Sequence, residues 1–574
     1  MADQNPFDLP LEDFIFLPNT IDIVMKYNQA VEAFVKQRPY IRVGKVINDY
    51  IILYIQQEDL PKIINEIGTS EMKLLPFVVG LLGTQDLEAA GITKVQNQPY
   101  LDLKGTGVII GFVDTGIDYT NKAFIYEDGT SKIQYIWDQT IKGNPPEGYL
   151  FGTEYSNAQI NDALKSKNPF SVVPSRDTVG HGTFLAATAA SREDNELIGV
   201  APDAELIIVK LKKAKKYLTD YFLVPKNQDN VYESSDLALG INYIFDKAFT
   251  CCGRPASICV SVGTNYGSHD GLGALDSIIT KISSDYGAIC LAAGNESNMK
   301  HHAHGILAKT GDASDIEVKA GKNGGSMFFS LWTYSSDKIS ISITSPTGEV
   351  VGPIAFRAGA HFESKLVLER ARVIIEFIFP SGLGIISQLT VIKIIDPTPG
   401  IWKITIFGDL VVNGIYDMWL PITGLVDPEI EFLAPDPRTT IVVPATALGA
   451  ITIGAYNSVN GSLYAPSSWG PSRLSLISNP AFVAPGVDVT GIYPEGVGKM
   501  SGTSVAAAIT TGACALMLQW GIVQGNQLDM NSFSIRSYLV KGCVRDINIK
   551  YPSDQWGYGK LNLYNSFVSM RGRE

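Results

Sequence analysis

Short apolar runs rich in β-branched residues alternate with stretches of helical periodicity between residues 101 and 305, and the same alternation resumes after residue 437. Such an alternation predicts a largely parallel β-sheet with helices on both faces, an α/β fold. The runs include GVIIGFVDTG (107–116), AELIIVKL (204–211), ASICVSVG (256–263) and GAICLAAGN (287–295). Polar residues directly after the strands of such a sheet are where ligands and chemistry collect.

The alternation stops between residues 306 and 436, where strand-like runs follow one another without intervening helices. Closely spaced short strands separated by turns are typical of an all-β sandwich or jelly roll. The runs are SMFFSLWTY (326–334), KISISITSP (338–346), RVIIEFIF (372–379), QLTVIKIID (388–396), GIWKITIFG (400–408) and GIYDMWLPI (414–422). We therefore predict an all-β jelly-roll domain (306–436) inserted between two halves of one α/β domain, 97–305 and 437–574.

The first 96 residues predict a separate small α+β domain. IDIVMKYNQAVEAFVKQ (21–37) has the periodicity of an amphipathic helix, YIILYIQ (50–56) that of a strand, and EDLPKIINEIG (58–68) that of a helix closed by glycine. We therefore predict an α/β fold class, with an N-terminal α+β domain and an inserted all-β domain.

Composition and charge exclude several classes of function. The 574 residues carry a net charge of −12, and Lys/Arg residues concentrate only at 210–216, which argues against a nucleic-acid partner. The N-terminus lacks the basic and apolar segments of a signal peptide, and no run of 18 apolar residues suggests a membrane span. Six cysteines, mostly in apolar runs, predict free buried thiols and synthesis in the cytosol.

Four polar strings stand at strand ends or at a helix start, and they contribute Asp114, His181, Asn295 and Ser504. An acid, an imidazole, an amide and a hydroxyl are the groups that acyl transfer needs, because a serine hydroxyl becomes nucleophilic only beside a base. Each residue alone has an ordinary interpretation: a turn aspartate, a packed histidine, a turn amide and a helix cap. The four together favour a catalytic site.

The strings resemble the motifs of the subtilisin-like serine proteases, or subtilases (peptidase family S8). They are DTGID (114–118), GHGTFLA (180–186), AAGNE (292–296) and GTSVAAA (502–508). The resemblance implies an Asp-His-Ser triad of Asp114, His181 and Ser504, with Asn295 in the oxyanion hole. It also implies a substrate cleft in which an extended peptide pairs as an added strand, lined by Ser261, Val262, Gly263, Ala292, Ala293 and Gly294.

Further stretches resemble one branch of that family, the clostridial Csp proteases of spore germination. They are VKLKKAKKYL (209–218), GTNYGSHDG (263–271), TSVAAAITTGACAL (503–516) and the inserted β unit. The branch implies a protein substrate, the zymogen of a spore-cortex hydrolase, and association with spores. It also implies that residues 1–96 are a propeptide that assists folding and stays bound after its cleavage.

The resemblance to the Csp branch also implies a site at which the protein cleaves its own chain. We predict cleavage after Gln96, with Asn97 starting the mature chain, because a cut after Gln98 would place Pro99 next to the scissile bond. Neither a cofactor nor a metal is expected. HHAHG (301–305) lacks metal-ligand spacing and is interpreted as a loop beside the cleft, and SREDNE (191–196) as a solvated acidic loop rather than a calcium site.

Two other functions are compatible with the sequence. Val505 stands where many subtilases have methionine, and some members of the Csp branch have lost triad residues and act as regulators. One alternative is therefore a pseudoprotease or scaffold that binds a partner through the jelly roll. The other is a general degradative protease, against which the missing signal peptide argues.

Overall fold

The computed structural model describes residues 9–68, 70–81, 89–192, 197–284, 287–322, 325–379, 387–474 and 477–570. Within this part of the chain, the N-terminal region forms a small antiparallel sheet with short helices. Its elements are α1 (Leu11–Ile15), β1 (Thr20–Lys26), α2 (Gln29–Lys36), β2 (Arg42–Ile47), β3 (Tyr50–Gln56), α3 (Leu60–Ile67), α4 (Glu71–Leu74), β4 (Val78–Leu81) and α5 (Ile92–Gln96). The sheet has the order β1-β3-β2.

The predicted helix over residues 21–37 is wrong in its first half. Residues 20–26 form β1, which pairs with β3 along its whole length, and only Gln29–Lys36 is helical. Asn28 begins that helix, because its side chain accepts the Val31 N–H at 3.0 Å. The predictions of β3 and of α3, which ends at left-handed Gly68, are confirmed.

The α/β domain comes from two separate stretches of chain. The first provides β5 (Ile109–Asp114), β6 (Ile133–Asp138), β7 (Thr153–Ser156), α6 (Asn157–Lys165), α7 (His181–Ala190), β8 (Glu205–Lys210), α8 (Lys216–Tyr221), β9 (Tyr232–Glu233), α9 (Ser234–Asp246), β10 (Ala256–Val260), β11 (Val262–Gly263), α10 (Ala274–Ile282) and β12 (Gly287–Ala292).

The inserted domain has its own strands and its own hydrophobic core. They are β13 (His302–Ile306), β14 (Ala313–Ala320), β15 (Met327–Tyr334), β16 (Lys338–Thr344), β17 (Val350–Ala355), β18 (His361–Lys365), β19 (Arg372–Ile378), β20 (Ser387–Ile395), β21 (Gly400–Leu410), β22 (Ile415–Trp419) and β23 (Glu431–Phe432). Two antiparallel sheets, β13-β22-β15-β20-β19-β18 and β17-β16-β21-β14-β23, form a sandwich. The prediction of an all-β insertion is confirmed.

The second stretch completes the α/β domain with β24 (Ile451–Tyr456), β25 (Phe482–Pro485), β26 (Val489–Tyr493), β27 (Gly496–Met500), α11 (Thr503–Leu518), α12 (Ser532–Gly542) and α13 (Leu563–Ser569). In the described part of the chain, the central sheet has eight strands in the order β25-β24-β12-β10-β5-β8-β6-β7, and only the β6–β7 pair is antiparallel. The predicted parallel sheet is confirmed.

Helix α11 is buried along its whole length. Among the described residues, the segment Thr503–Val523 is the only helix long and apolar enough to cross a membrane, and 89% of its most apolar window is buried inside the protein. Small residues let it lie close to its neighbours: a Cβ at Gly512 would come within 2.4 Å of Val200. This helix is therefore a core element of the α/β domain.

The predicted loop at residues 301–305 is wrong, because residues 302–306 form β13, an edge strand of the inserted domain. His302 and His304 both contact Asp417 on the neighbouring strand β22, at 3.2 and 2.8 Å, and Asp417 also accepts a hydrogen bond from Arg473 at 2.9 Å. Strand β13 thus belongs to one sheet of the β sandwich. Among the described residues no group of three or more His, Cys, Asp or Glu could hold a metal ion, and residues 193–196 of SREDNE lie outside them.

Aromatic side chains join the three parts of the molecule. Phe77 of the N-terminal region lies 6.5 Å, between ring centroids, from Phe222 of the α/β domain. Phe222 in turn packs on Tyr266 at 4.3 Å and on Phe328 of the β domain at 5.4 Å. The segment that precedes β4 is therefore anchored where all three parts meet.

Candidate active site

The central sheet brings the ends of three strands to one edge. Asp114 is the last residue of β5, Ser261 follows β10, and Asn295 lies three residues after β12. Because these strands are parallel and adjacent, their carboxyl ends place the three side chains side by side. Helices α7 and α11 begin at the same edge and supply His181 and Ser504.

A buried carboxylate holds the imidazole of His181. Nδ1 of His181 lies 2.7 Å from Oδ1 of Asp114, and Thr115 N–H donates to the same oxygen at 2.8 Å. The Ser261 hydroxyl donates to Oδ2 at 2.9 Å. Burial opposes ionisation of Asp114, but His181 and these hydrogen bonds keep the pKa of Asp114 below its ordinary value. The carboxylate is therefore ionised and fixed against one ring nitrogen.

The approach of α7 to β5 requires glycine after the histidine. A Cβ at Gly182 would lie 2.2 Å from the Gly116 carbonyl oxygen and 3.3 Å from Cβ of Asp114. Any larger residue at position 182 would push the start of α7 away from the Asp114 turn. The Gly-His-Gly string thus sets the distance between imidazole and carboxylate.

Ser504 lies in the first turn of α11, fully buried from solvent. Its hydroxyl is 3.5 Å from the Ser261 carbonyl oxygen, so Ser261 contacts both Asp114 and Ser504. Gly502 precedes the helix with φ of 145°, a conformation that favours glycine. Unpaired N–H groups at a helix start favour negative charge, so the environment suits a developing anion.

Thr503 fixes the amide of Asn295. Its backbone N–H and its hydroxyl donate to Oδ1 of Asn295 at 3.0 and 3.2 Å, and its hydroxyl accepts the Gly294 N–H at 3.1 Å. With Oδ1 occupied in this way, the Nδ2 donors lie on the opposite side of the amide. The side chain is thereby oriented as a hydrogen-bond donor next to the start of α11.

The predicted cleft residues divide into two groups. Val262 and Gly263 form β11 and pair with Leu81 and Gly80 of β4, with Ser261 immediately before them. In the second group, the Ala293 N–H donates to the Ile453 carbonyl, and the Ala293 carbonyl accepts the Val442 N–H. The Gly294 carbonyl accepts the Ser468 N–H. Residues 292–294 therefore support Asn295. Both backbone groups of Ala293 are already hydrogen-bonded, so they are not free to pair with a peptide strand.

Strand β4 lies in the middle of a three-stranded sheet between β11 and β9. On its other side, Val78 and Val79 pair with Glu233 and Tyr232 of β9. Sequence reasoning missed that β9 pairs with β4, and it missed the contacts of Ser261 with Asp114 and of Thr503 with Asn295. Only the position of Thr503 directly before Ser504 could have suggested such a role.

Gln96, the residue predicted to precede the self-processing cut, lies away from Ser504. It ends α5, and its side-chain amide donates to the carbonyls of Gly199 and Val200 at 3.0 and 2.9 Å. Those residues follow the far end of α7, and a ten-residue helix separates that end from His181 by roughly 15 Å. The structure therefore does not place the Gln96–Asn97 bond beside Ser504.

Comparison with known proteins assigns the class. The sequence pattern of the Subtilase family (Peptidase_S8) matches residues 105–327 and 435–559, the two stretches that carry all four motifs. The chain belongs to the subtilase family, and it is a subtilisin-like serine endopeptidase. A comparison with curated proteins found no match.

Among solved structures, the chain is similar to the CspB protease of Clostridium perfringens. The two share 31% sequence identity and a TM-score of 0.75, over 85% of this chain and 99% of that one. A weaker similarity is to the epidermin leader peptide processing serine protease (EpiP) of Staphylococcus aureus, with 13% identity, a TM-score of 0.46, and coverage of 97% of this chain and 100% of that one.

Proposed function

We propose that the chain is a self-processing endopeptidase in which Asp114, His181 and Ser504 form the catalytic triad. His181 accepts the Ser504 proton while Oγ attacks the peptide carbonyl carbon, and the same imidazole then protonates the leaving amine. Asp114 orients the imidazole and stabilises its protonated form. Water, deprotonated by His181, releases the acyl group from Ser504.

The oxyanion of the tetrahedral intermediate is held by Nδ2 of Asn295 and by the backbone N–H of Ser504. The amide orientation that Thr503 imposes supports this role, because the donors are fixed before charge develops. The start of α11 adds the favourable field of a helix N-terminus.

The position of β4 is the observation that carries the proposal. In its register, Gly80 lies opposite Gly263 and Leu81 opposite Val262, so the chain advances toward Ser261. Ser261 is the residue whose carbonyl lies 3.5 Å from the Ser504 hydroxyl. We therefore move the predicted self-processing site from Gln96 to the few residues that follow Leu81.

The N-terminal domain then remains bound as an inhibitor after the cut. Two observations support this retention. Strand β4 pairs with β11 on one side and with β9 on the other, and Asp22 forms a buried ion pair with Lys215 at 3.2 Å. The physiological substrate that we propose is the zymogen of a spore-cortex hydrolase, with the enzyme associated with spores. The similarity to CspB over nearly all of that protein supports this assignment.

A small fluorophosphonate probe tests the chemistry. Only an activated serine displaces fluoride from the probe, forming an Oγ–P bond as its proton passes to the base. We expect wild-type protein to be labelled at Ser504, the Ser501→Ala control to be labelled equally, and Ser504→Ala to be unlabelled. An uncut wild-type chain that never reacts would instead support the scaffold function.

A further inference from the structure

Glu296, directly after Asn295, is a buried acid with an unusual set of partners. It is 2% exposed, and its carboxylate lies 2.7 Å from Nδ1 of His301. The other carboxylate oxygen accepts the backbone N–H of Thr423 at 3.0 Å. Burying a carboxyl group this deeply is costly unless its oxygens are hydrogen-bonded, so these contacts hold the side chain in one place.

The partner of Glu296 comes from the inserted β domain. Thr423 lies on the segment after β22, and the Leu420 N–H on the same segment donates to the His301 carbonyl at 2.9 Å. The carboxylate therefore connects the loop that carries Asn295 to the segment that follows β22 in the β domain.

The backbone on either side of Asn295 is fixed as well. The Ser468 hydroxyl accepts the Glu296 N–H at 3.1 Å, and the Ser468 N–H donates to the Gly294 carbonyl at 2.8 Å. Thr503 holds the Asn295 side chain itself. The Glu296 carboxylate and the His301 carbonyl connect the segment after Asn295 to the inserted domain, whereas Ser468 and Thr503 belong to the α/β domain.

We infer that Glu296 and His301 are positioning residues through which the β domain holds the Asn295 amide in place for oxyanion binding. The inference rests on the proposed function, since it concerns the same reaction. Neither side chain is assigned contact with substrate. A displacement of about 1 Å in a positioned donor can cost about a hundredfold in rate, so loosening this loop has a measurable effect.

The test is a double-mutant cycle on self-cleavage. The full chain is made by cell-free synthesis with a pulse of labelled methionine, and the first-order rate of cutting is followed on denaturing gels. Because the cleaved segment is part of the same chain, substrate affinity does not enter the rate. The variants are Glu296→Ala, Asn295→Ala and both together, with Glu296→Gln and His301→Gln as milder changes.

Glu296→Ala is expected to slow cutting about ten- to a hundredfold, and Asn295→Ala about a hundred- to a thousandfold. In the Asn295→Ala background, Glu296→Ala is expected to slow it less than about twofold further, because the group it positions is gone. The control Glu431→Gln removes an exposed neighbouring ion pair with Lys300 (2.8 Å) and is expected to cut at the wild-type rate.

The outcomes separate the two proposals. An unchanged rate in Glu296→Ala, or equal slowing in the wild-type and Asn295→Ala backgrounds, overturns the positioning role and leaves the triad intact. Equal slowing with a lowered unfolding temperature would mark Glu296 as a structural residue only. A wild-type chain that is never cut overturns the proposed function, and the positioning role with it.

Discussion

His181→Ala is expected to lower the rate of Ser504 labelling by a fluorophosphonate on the order of a millionfold, since triad residues act as a unit. Without the imidazole, no base accepts the serine proton at neutral pH, and the ionised Asp114 loses the partner at 2.7 Å. The measurement is the second-order rate constant of labelling, read from intact mass.

The matched control for His181→Ala is His361→Ala, because His361 lies half-exposed on β18 of the inserted domain. The control is expected to be labelled at the wild-type rate. A thermal unfolding scan of both variants shows that each is folded. Undiminished labelling of a folded His181→Ala protein would contradict the assigned base.

A second large effect concerns the pH dependence of the contact between the N-terminal and α/β domains. Asp22 of β1 is fully buried beside Lys215, and the Ser235 hydroxyl donates to it at 3.1 Å. Next to them, Lys212 pairs with Asp236 at 2.6 Å and lies 3.6 Å from Glu233. The cluster thus holds three carboxyl groups and two ammonium groups, all largely shielded from water.

The cluster holds one more carboxyl group than ammonium groups, and a bound proton neutralises the extra negative charge. Burial raises the pKa of Asp236 well above its ordinary value, and the nearby carboxylates of Glu233 and Asp22 add to this against the charge of Lys212. Burial and Asp22 also raise the pKa of Glu233. The N-terminal domain therefore binds most favourably while one of these two acids is protonated.

The sign of the pH effect follows from those directions. A carboxyl whose folded pKa is raised contributes full stability below its unfolded pKa, about 4, and loses it as pH rises toward the folded pKa. The pKa of Asp22 is lowered despite burial, by Lys215 and Lys212, so its contribution changes only below that range. Stability should fall by up to about 1.4 kcal/mol per pH unit for one proton.

The experiment compares Asp22→Asn with its parent, both carrying Ser504→Ala so that the chain stays uncut. Unfolding free energy is measured from pH 5 to 9, and Asp22→Asn is expected to flatten the decline. Asp276, whose pKa burial raises to about 7, and Lys132, whose pKa burial lowers to about 7, titrate in both proteins and cancel in the difference. Parallel curves would contradict the proton requirement.

A control for Asp22→Asn is Asp49→Asn. Asp49 also joins the N-terminal domain to the α/β domain, through Lys281 at 3.7 Å, but both side chains are exposed. An exposed pair contributes little, so this change is expected to leave the pH profile parallel to that of the parent. Equal flattening by both substitutions would assign the effect to net charge rather than to the buried cluster.

The sequence predicted the central sheet and the four site side chains because each motif stands directly beside a strand or helix end. It failed where a long-range partner decides the structure. Thr20–Lys26 has helical spacing of apolar residues, yet pairing with β3 makes it a strand. His302–Ile306 is a strand because it pairs with β22, more than a hundred residues later.

The self-processing site stays a prediction, and its two possible positions rest on different kinds of argument. Pro99 and the residues around Gln96 supply a local argument, whereas the position that we propose after Leu81 rests on the pairing of β4 with β11 and β9, both far along the chain. Backbone pairing leaves little trace in side-chain type, so β4 could not be assigned to the cleft from its sequence. The partners of Glu296 were hidden for the same reason, since Thr423 contributes only its backbone N–H.

The most direct test of the central claim is intact mass spectrometry of purified full-length protein beside its Ser504→Ala variant. We expect a wild-type chain that is cut within the few residues after Leu81 and a variant that stays whole. If both chains are whole, or both are cut alike, Ser504 is not the nucleophile of self-processing. A Ser504-dependent cut after Gln96 would keep the nucleophile and contradict the register of β4 as the guide to the bond.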